Sequence, residues 1–418
     1  MNSSPTKLEA LAINGGRSVR EKLLPYGRQK LDEEDIQVAV DVLRSDWLTT
    51  GPKVAEFEEA FAAWVGARFA VSFSSGTAAL HGAAFAAGLK PGDETITTPL
   101  TFCATANCVL YQGATPVFAD VCDDTLNLDP REVGRKVSAR TKAIIAVDYA
   151  GHPAALDELR EIAASVGATL IEDACHSLGA EYRGKRVGGI ADMTVFSFHP
   201  VKHLTTGEGG MVTTNDVRWA EILRRFRNHG ISSGARERQE SGEWFYEMSL
   251  LGFNYRLTDI GCALGISQLK KLEANLTRRR EIAAQYSREL RGLPVRVPAV
   301  RDEVLPAWHL YPIRLDLGAL SVGRREIFRA LRAENIGVNV HYIPVHLHPY
   351  YRERFAGMSG EGSYLVAEKA YEQLISLPMF HSMTGVDVED AIEAVHKVIG
   401  NYARESERPS AAGSRRSG

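Results

Sequence analysis

Val195-Phe-Ser-Phe-His-Pro-Val-Lys-His-Leu-Thr-Thr-Gly-Glu-Gly-Gly-Met-Val212 sets a single lysine, Lys202, in a small polar loop between two apolar runs. Short apolar runs bounded by turn residues read as buried strands, so strands are predicted over 194–198 and 210–214 with the lysine loop between them. Most lysines beside apolar residues only lay their stems over a core. A second stretch changes that reading. Gly167-Ala-Thr-Leu-Ile-Glu-Asp-Ala-Cys-His-Ser-Leu178 predicts a buried parallel strand over 169–172 that ends in an acid. Asp173 then stands at the carboxyl end of that strand, where open α/β sheets bind ligands.

A lysine held out of water loses its proton more readily than one at the ordinary pKa of about 10.4, and it can condense with an aldehyde as a Schiff base. A carboxylate nearby can keep a ring nitrogen protonated. Pyridoxal phosphate needs both groups, which makes Lys202 and Asp173 a candidate catalytic pair. Upstream, Phe69-Ala-Val-Ser-Phe-Ser-Ser-Gly-Thr-Ala-Ala-Leu80 reads as a short strand, a small turn and an Ala-rich helix beginning near Gly76 and Thr77. Unpaired amides at such a helix start, with the helix dipole behind them, suit a phosphate. The spacing is neither G-x-x-x-x-G-K-[ST] nor G-x-G-x-x-G, so an ATP loop and a dinucleotide fingerprint are both unsupported.

From that helix onward strand and helix readings alternate. Strands at 94–98, 115–119 and 141–148 are interleaved with helices at 103–110 and 156–166, with only a polar link read between 119 and 141. This alternation predicts an α/β fold, a mostly parallel central sheet with helices on both faces. Before it, Asp32-Glu-Glu-Asp35 can open a helix over 36–43, and 54–65 has amphipathic spacing. After Asn215 come a basic helix over 217–226, a polar loop over 230–243 expected to be mobile, and a long helical pattern through Leu290 in which the Arg278-Arg-Arg280 run reads as the solvated face. A proline-bearing stretch at 293–300 leads to a strand at 311–316, a helix at 324–334, a segment at 337–342 and a final helix at 388–402. The expected organisation is an N-terminal arm (1–30), a large domain (31–268), a smaller C-terminal α+β domain (269–403) and a disordered tail (404–418).

Composition narrows the function classes. The 418 residues are 44% hydrophobic and 24% charged, and 49 Lys plus Arg against 52 Asp plus Glu leave a formal charge of −3. That balance points to neither nucleic acid nor an anionic membrane surface. Five cysteines without a C-x-x-C pair imply neither a disulfide framework nor a zinc knuckle, and suit a reducing cytoplasm. His341, His346 and His348 lack an accompanying acid or cysteine cluster, so no metal is expected. The N-terminus has no signal-peptide pattern and no run approaches the ~18 apolar residues of a membrane span.

Seven motifs occur in one order: Ser75-Gly-Thr-Ala-Ala-Leu80, Pro99-Leu-Thr-Phe-Cys-Ala-Thr105, Glu172-Asp-Ala-Cys-His-Ser177, Ser197-Phe-His-Pro-Val-Lys202, Gly207-Glu-Gly-Gly210, Gly252-Phe-Asn-Tyr-Arg256 and His341-Tyr-Ile-Pro-Val-His346. On these the chain resembles the DegT/DnrJ family of pyridoxal-phosphate sugar aminotransferases, a fold type I group, over roughly residues 20 to 403. The resemblance implies that Lys202 is the Schiff-base lysine and proton shuttle and that Asp173 partners the ring nitrogen. It places His176 by the ring hydroxyl, Phe102 against the ring face, and Gly76, Thr77 and Ser197 at the phosphate. Asn254 is expected to reach the cofactor phosphate of a neighbouring subunit, which implies a homodimer with shared sites. His199, Arg256, His341 and Tyr342 are candidate sugar contacts.

Within the family, Leu24-Pro-Tyr-Gly-Arg28, the lysine loop and His341-Tyr-Ile-Pro-Val-His-Leu-His-Pro-Tyr-Tyr351 look most like the pseudaminic acid branch. That likeness implies amination of a UDP-linked 4-keto-6-deoxy-N-acetylhexosamine with L-glutamate as donor and 2-oxoglutarate as product. The alternatives are another nucleotide keto sugar, of the UDP-L-Ara4N or dTDP-amino sugar kind, and a non-catalytic sensor that retains the fold. A dehydratase of the same family carries a histidine where this chain has Lys202, which argues against that activity.

Overall fold

The computed structural model describes residues 9–232, 238, 241–355 and 361–404. The expected tail lies outside these residues except for Arg404, as does part of the 230–243 loop. The arm at the N-terminus does not stand free, because Leu11 and Leu24 are buried in the C-terminal core and Leu24 bridges to Ile336. The first long helix, α1 (Glu33–Leu43), starts where the acids predict. Asp32 accepts from the Asp35 amide at 3.2 Å, and the Asp35 carboxylate accepts from the Asp32 amide at 3.1 Å, a reciprocal capping box.

The alternation then runs through α2 (Pro52–Val65), β1 (Phe69–Phe73), α3 (Gly76–Ala86), β2 (Glu94–Thr97), α4 (Ala104–Tyr111), β3 (Thr115–Phe118), α5 (Pro130–Lys136) and β4 (Thr141–Val147). It continues with α6 (Leu156–Ser165), β5 (Thr169–Asp173), β6 (Met193–Ser197), β7 (Gly210–Thr214) and α7 (Val217–Phe226). Helix α5 falls inside the stretch read as a polar link. Its start is signalled by Asp129, whose carboxylate accepts from the Arg131 amide at 2.9 Å, and by Pro130 in the first turn.

The seven strands lie in the order β1-β7-β6-β5-β4-β2-β3. All neighbours from β6 to β3 are parallel, while β7 runs antiparallel to both β6 and β1. The sheet is therefore mostly parallel with one reversed strand. Adjacent residues on a strand face opposite layers: Val195 packs with α3, α4 and α7, whereas Phe196 packs with α2. Burial on both faces is why these strands read as continuous apolar runs instead of alternating ones.

Helix α8 (Asp259–Glu289) is 31 residues long and joins two cores. Leu269, Leu272 and Leu276 pack with Phe57 and Phe198, while Ile282, Ala283 and Tyr286 belong to the C-terminal core. The division expected at 268/269 falls within this helix. Beyond it, β8 (Val295–Arg296), β9 (Tyr311–Leu315) and β10 (Leu374–Leu377) form an antiparallel sheet in that order, packed with α9 (Arg324–Ala333) and α10 (Gly385–Tyr402). Segment 337–342 contains no strand, only a bridge from Asn339 to Ser376. Among the described residues no helix is long and apolar enough to cross a membrane.

The carboxyl ends of β1, β4, β5 and β6 share one edge of the sheet, and two glycines let α3 start directly on that edge. A Cβ on Gly76 would lie 2.9 Å from the Cβ of Ser197, and one on Gly210 would lie 2.5 Å from the Ser75 carbonyl oxygen. Backbone cannot yield as a flexible side chain can, so Gly210→Ala is expected to destabilise the fold by about 1–3 kcal/mol. Thermal unfolding of the variant checks this, and a midpoint equal to that of the parent would contradict the close packing.

Candidate active site

At that edge lies a cavity of about 500 Å³. Of the residues singled out from sequence, Gly76, Thr77, Phe102, Asp173, His176, Ser197, His199, Lys202, His341 and Tyr342 all line it. Arg256 and Asn254 do not. Arg256 lines a separate cavity of about 710 Å³ and donates to the Asn228 side-chain oxygen at 2.8 Å, and Asn254 is exposed and bridged to Asn228.

Each wall follows from local structure. The turn after β1 delivers Ser75, whose hydroxyl accepts from the Ala78 amide at 3.1 Å and caps α3. The first turn of α3 therefore faces the cavity with its positive dipole end. Asp173 ends β5 and is 5% exposed. Its two oxygens are fixed from different sides: the Thr105 hydroxyl donates at 2.7 Å and the Cys175 amide at 3.2 Å. Thr105 is itself bonded to Thr101 at 2.9 Å. A carboxylate held in this way cannot turn out of the cavity.

Lys202 follows β6 on the loop to β7 and is half-buried. Burial is the largest influence and pulls its pKa below the ordinary lysine value, opposed by Cys175 and Asp173. Its amine makes no hydrogen bond or ion pair among the described residues. His176 accepts or donates at Nε2 to the Tyr342 hydroxyl, 2.9 Å away, and its buried Nδ1 has no partner. Burial, and then the charge of Lys202, hold this imidazole well below its usual pKa, so it is neutral. The exposed ring of Phe102 stands 6.2 Å from that of Tyr342.

This set fits an aldehyde cofactor with a ring nitrogen and a phosphate. The unpartnered amine of Lys202 can hold the aldehyde, the pinned carboxylate of Asp173 can face the nitrogen, and the α3 start beside Thr77 and Ser197 can bind the phosphate. Sequence reading missed three residues at the cavity. Thr105 lay within a quoted motif but had no role assigned, Tyr26 comes from the arm and packs 5.6 Å from the His341 ring, and the His309 ring lies tilted 4.6 Å from that of His176. The Thr105 contact was recoverable from its position in the first turn of a helix beside the acid's strand. Nothing local marks Tyr26 or His309.

Comparison with known proteins bears on the same site. Residues 29–396 match the model of the DegT/DnrJ/EryC1/StrS aminotransferase family. The chain is 43% identical over 383 residues to the spore coat polysaccharide biosynthesis protein SpsC of Bacillus subtilis, covering 91% of this chain and 98% of the relative. Among solved structures it is similar to Helicobacter pylori PseC, an aminotransferase involved in the biosynthesis of pseudoaminic acid. The TM-score is 0.84 at 34% identity, over 91% of this chain and all of that one (100%). It is also similar to the putative sugar aminotransferase Spr1654 of Streptococcus pneumoniae in its PMP form, with a TM-score of 0.85 at 30% identity over 90% and 99% of the two chains. The PLP form of the same protein matches with a TM-score of 0.84 at 29% identity, over 91% and 99%.

Behind Asp173 lies a second acid pair. Glu172, fully buried, accepts from the Thr194 hydroxyl at 2.9 Å, while Asp148 accepts from Ser177 at 2.5 Å and from the Ala154 amide at 2.9 Å. Burial first, and then the charge of Asp148, push the Glu172 carboxyl well above its ordinary pKa of 4.5, so Glu172 keeps a proton. The folded state then binds more protons than the unfolded chain, and this pair loses stability as pH rises from 4.5 toward the raised folded value. Glu172→Gln keeps the shape without the ionisation. Unfolding midpoints measured from pH 4.5 to 8 should fall less steeply in the variant than in the parent, and parallel curves would mean that Glu172 is ionised in the fold.

Proposed function

The chain belongs to the DegT/DnrJ/EryC1/StrS aminotransferase family, and on that premise we propose that it transfers the amino group of L-glutamate to the 4-keto carbon of a UDP-linked 4-keto-6-deoxy-N-acetylhexosamine, the amination step of pseudaminic acid biosynthesis. The coarser statement stands on its own: it is a sugar aminotransferase, and its cofactor is pyridoxal 5′-phosphate. The observation that carries the catalytic reading is the meeting of Lys202 and Asp173 in one cavity at the carboxyl ends of parallel strands. The sugar is supported by the likeness to PseC, together with the arm, the lysine loop and the 341–351 segment quoted above.

When bound, pyridoxal phosphate supplies a ring that takes up the electrons left when a substrate carbon loses a proton. Asp173, pinned by Thr105 and Cys175, would keep a proton on the ring nitrogen. Lys202 would hold the aldehyde. Its amine, with a pKa lowered by burial, would be the base that moves a proton at the donor Cα. Neutral His176 would lie by the ring hydroxyl, Phe102 against the ring face, and Gly76, Thr77 and Ser197 at the phosphate. His199, His341 and Tyr342 line the same cavity and would contact the sugar.

The same reading includes a cytoplasmic homodimer, with a large domain over 31–268 and a small one over 269–403. In it, Asn254 and Arg256 serve the partner's site instead of their own. Two observations support this: both residues lie away from their own cavity, and the preceding segment exposes Trp244 at 81% and Leu251 at 73%. Single chains rarely leave such an apolar strip uncovered.

Borohydride treatment of the holoenzyme should fix the cofactor on Lys202, as read by peptide mass spectrometry. Attachment to another lysine would overturn the assignment. The substrate is tested separately by preparing the pyridoxamine form and offering UDP- and dTDP-linked 4-keto sugars with and without the acetamido group. Fastest return of the pyridoxal absorbance with the UDP-linked acetamido L-sugar supports the pseudaminic reading, and preference for a dTDP sugar replaces it.

A further inference from the structure

Arg279 lies on α8 where the helix passes from one core to the other, and it is fully buried. Its Nη1 donates to the carbonyl oxygens of Trp308 at 3.0 Å, His309 at 3.4 Å and Met379 at 3.0 Å. Nε and Nη2 have no partner, and among the described residues no carboxylate pairs with it. An uncompensated guanidinium in a core is costly, and burial pulls even its own pKa down to about 10.

The groups it holds lead to the cavity. Residues 307–309 form a strap gripped from two sides. On one side His203, the residue after Lys202, donates from Nε2 to the Ala307 carbonyl at 3.0 Å, and on the other Arg279 holds the next two carbonyls. Trp308 takes a left-handed backbone with φ of 53°, and Gly151 packs so closely that a Cβ there would lie 2.7 Å from the Trp308 nitrogen and 2.9 Å from the His309 nitrogen. The strap has little room to move, and it presents His309 to the cavity beside His176.

We propose that Arg279 is a positioning residue for the Lys202 amine: through the strap it fixes the wall behind Lys202, and its unpaired positive charge disfavours a second cation there. The other groups facing Lys202 come from each packed element. They are Asp173 and Cys175 from the end of β5, His176 from the turn after it, His203 from the lysine loop, His309 from the strap and His341 from the C-terminal unit. Burial keeps all four histidines neutral. Arg279 is thus the fixed cation acting on Lys202, and it adds to the effect of burial while Cys175 and Asp173 oppose it. This rests on Lys202 being the amine that holds the cofactor.

The test reads the amine directly. The full-length protein, freed of cofactor, is pulsed with a small excess of acetic anhydride across a pH series, and labelling of Lys202 is followed by peptide mass spectrometry against the exposed Lys142 and Lys185. In the parent, Lys202 should label with a midpoint below those of the two controls. Arg279→Gln keeps donors for the carbonyls but removes the charge, and should raise the Lys202 midpoint above that of the parent. Arg279→Lys keeps the charge and should leave the midpoint near that of the parent. An unmoved midpoint in Arg279→Gln, or an equal rise in both variants, overturns the proposal. If Arg279→Gln does not fold, the parent and Arg279→Lys decide, since Lys202 labelling together with Lys142 in either one overturns it as well. Borohydride mapping tests the role of Lys202 and labelling tests that of Arg279, so the two readings can fail separately.

Discussion

Taking an ionisable group out of water costs several kcal/mol unless something in the fold answers its charge, and the edge of this sheet is arranged around four such groups. Each is answered differently. Asp173 receives two hydrogen bonds, Glu172 keeps its proton, Arg279 donates to three carbonyl oxygens, and Lys202 is left without a partner. The contrast supports the reading of Lys202 as the reactive group. A half-buried amine that the fold leaves without a partner is available to a ligand, and its lowered pKa leaves more of it in the nucleophilic form at neutral pH.

The sheet topology makes this arrangement possible. With β4, β5 and β6 parallel, their carboxyl ends open toward one side, and the antiparallel β7 returns the chain so that Lys202 sits between β6 and β7 at the same edge. The reversed strand needs its first residue to be glycine, because α3 starts against it. The placement of the α3 start and the geometry of the sheet are therefore one constraint: moving α3 outward to admit a side chain at 210 would also withdraw its first amides from the cavity.

The central sheet was largely legible because strands buried on both faces leave unbroken apolar runs, and Lys202 and Asp173 were legible because Asp173 ends such a run and Lys202 sits in the polar loop between two of them. What escaped notice depended on contacts distant in sequence. Strand β10 is only four residues long and is defined by pairing with β9, not by its own pattern. Helix α5 is short and polar, so its cap outweighs its periodicity. Tyr26 and His309 reach the cavity from the arm and from the strap at 307–309, and neither position is implied by neighbours in sequence. Arg279 was read as part of the solvated Arg278-Arg-Arg280 face. The structure overturns that reading, because α8 is covered on that side by residues 307–309 and 379 and the side chain is fully buried.

That correction bears on how the two halves of the molecule cooperate. Helix α8 is continuous through both cores, so the C-terminal unit cannot shift as a free body without bending it or sliding Leu269, Leu272 and Leu276 out of their packing against Phe57. Tyr342 and His341 come from that unit, and Tyr342 meets His176 across the cavity at 2.9 Å. Arg279 ties the same helix to Met379 in the C-terminal unit and to the strap bearing His309. A rigid helix and a strap held on both sides therefore set the distance between the wall bearing Asp173 and His176 and the wall bearing His341 and Tyr342. Such a frame suits a reaction in which two different substrates must each bring a carbon to the same amine.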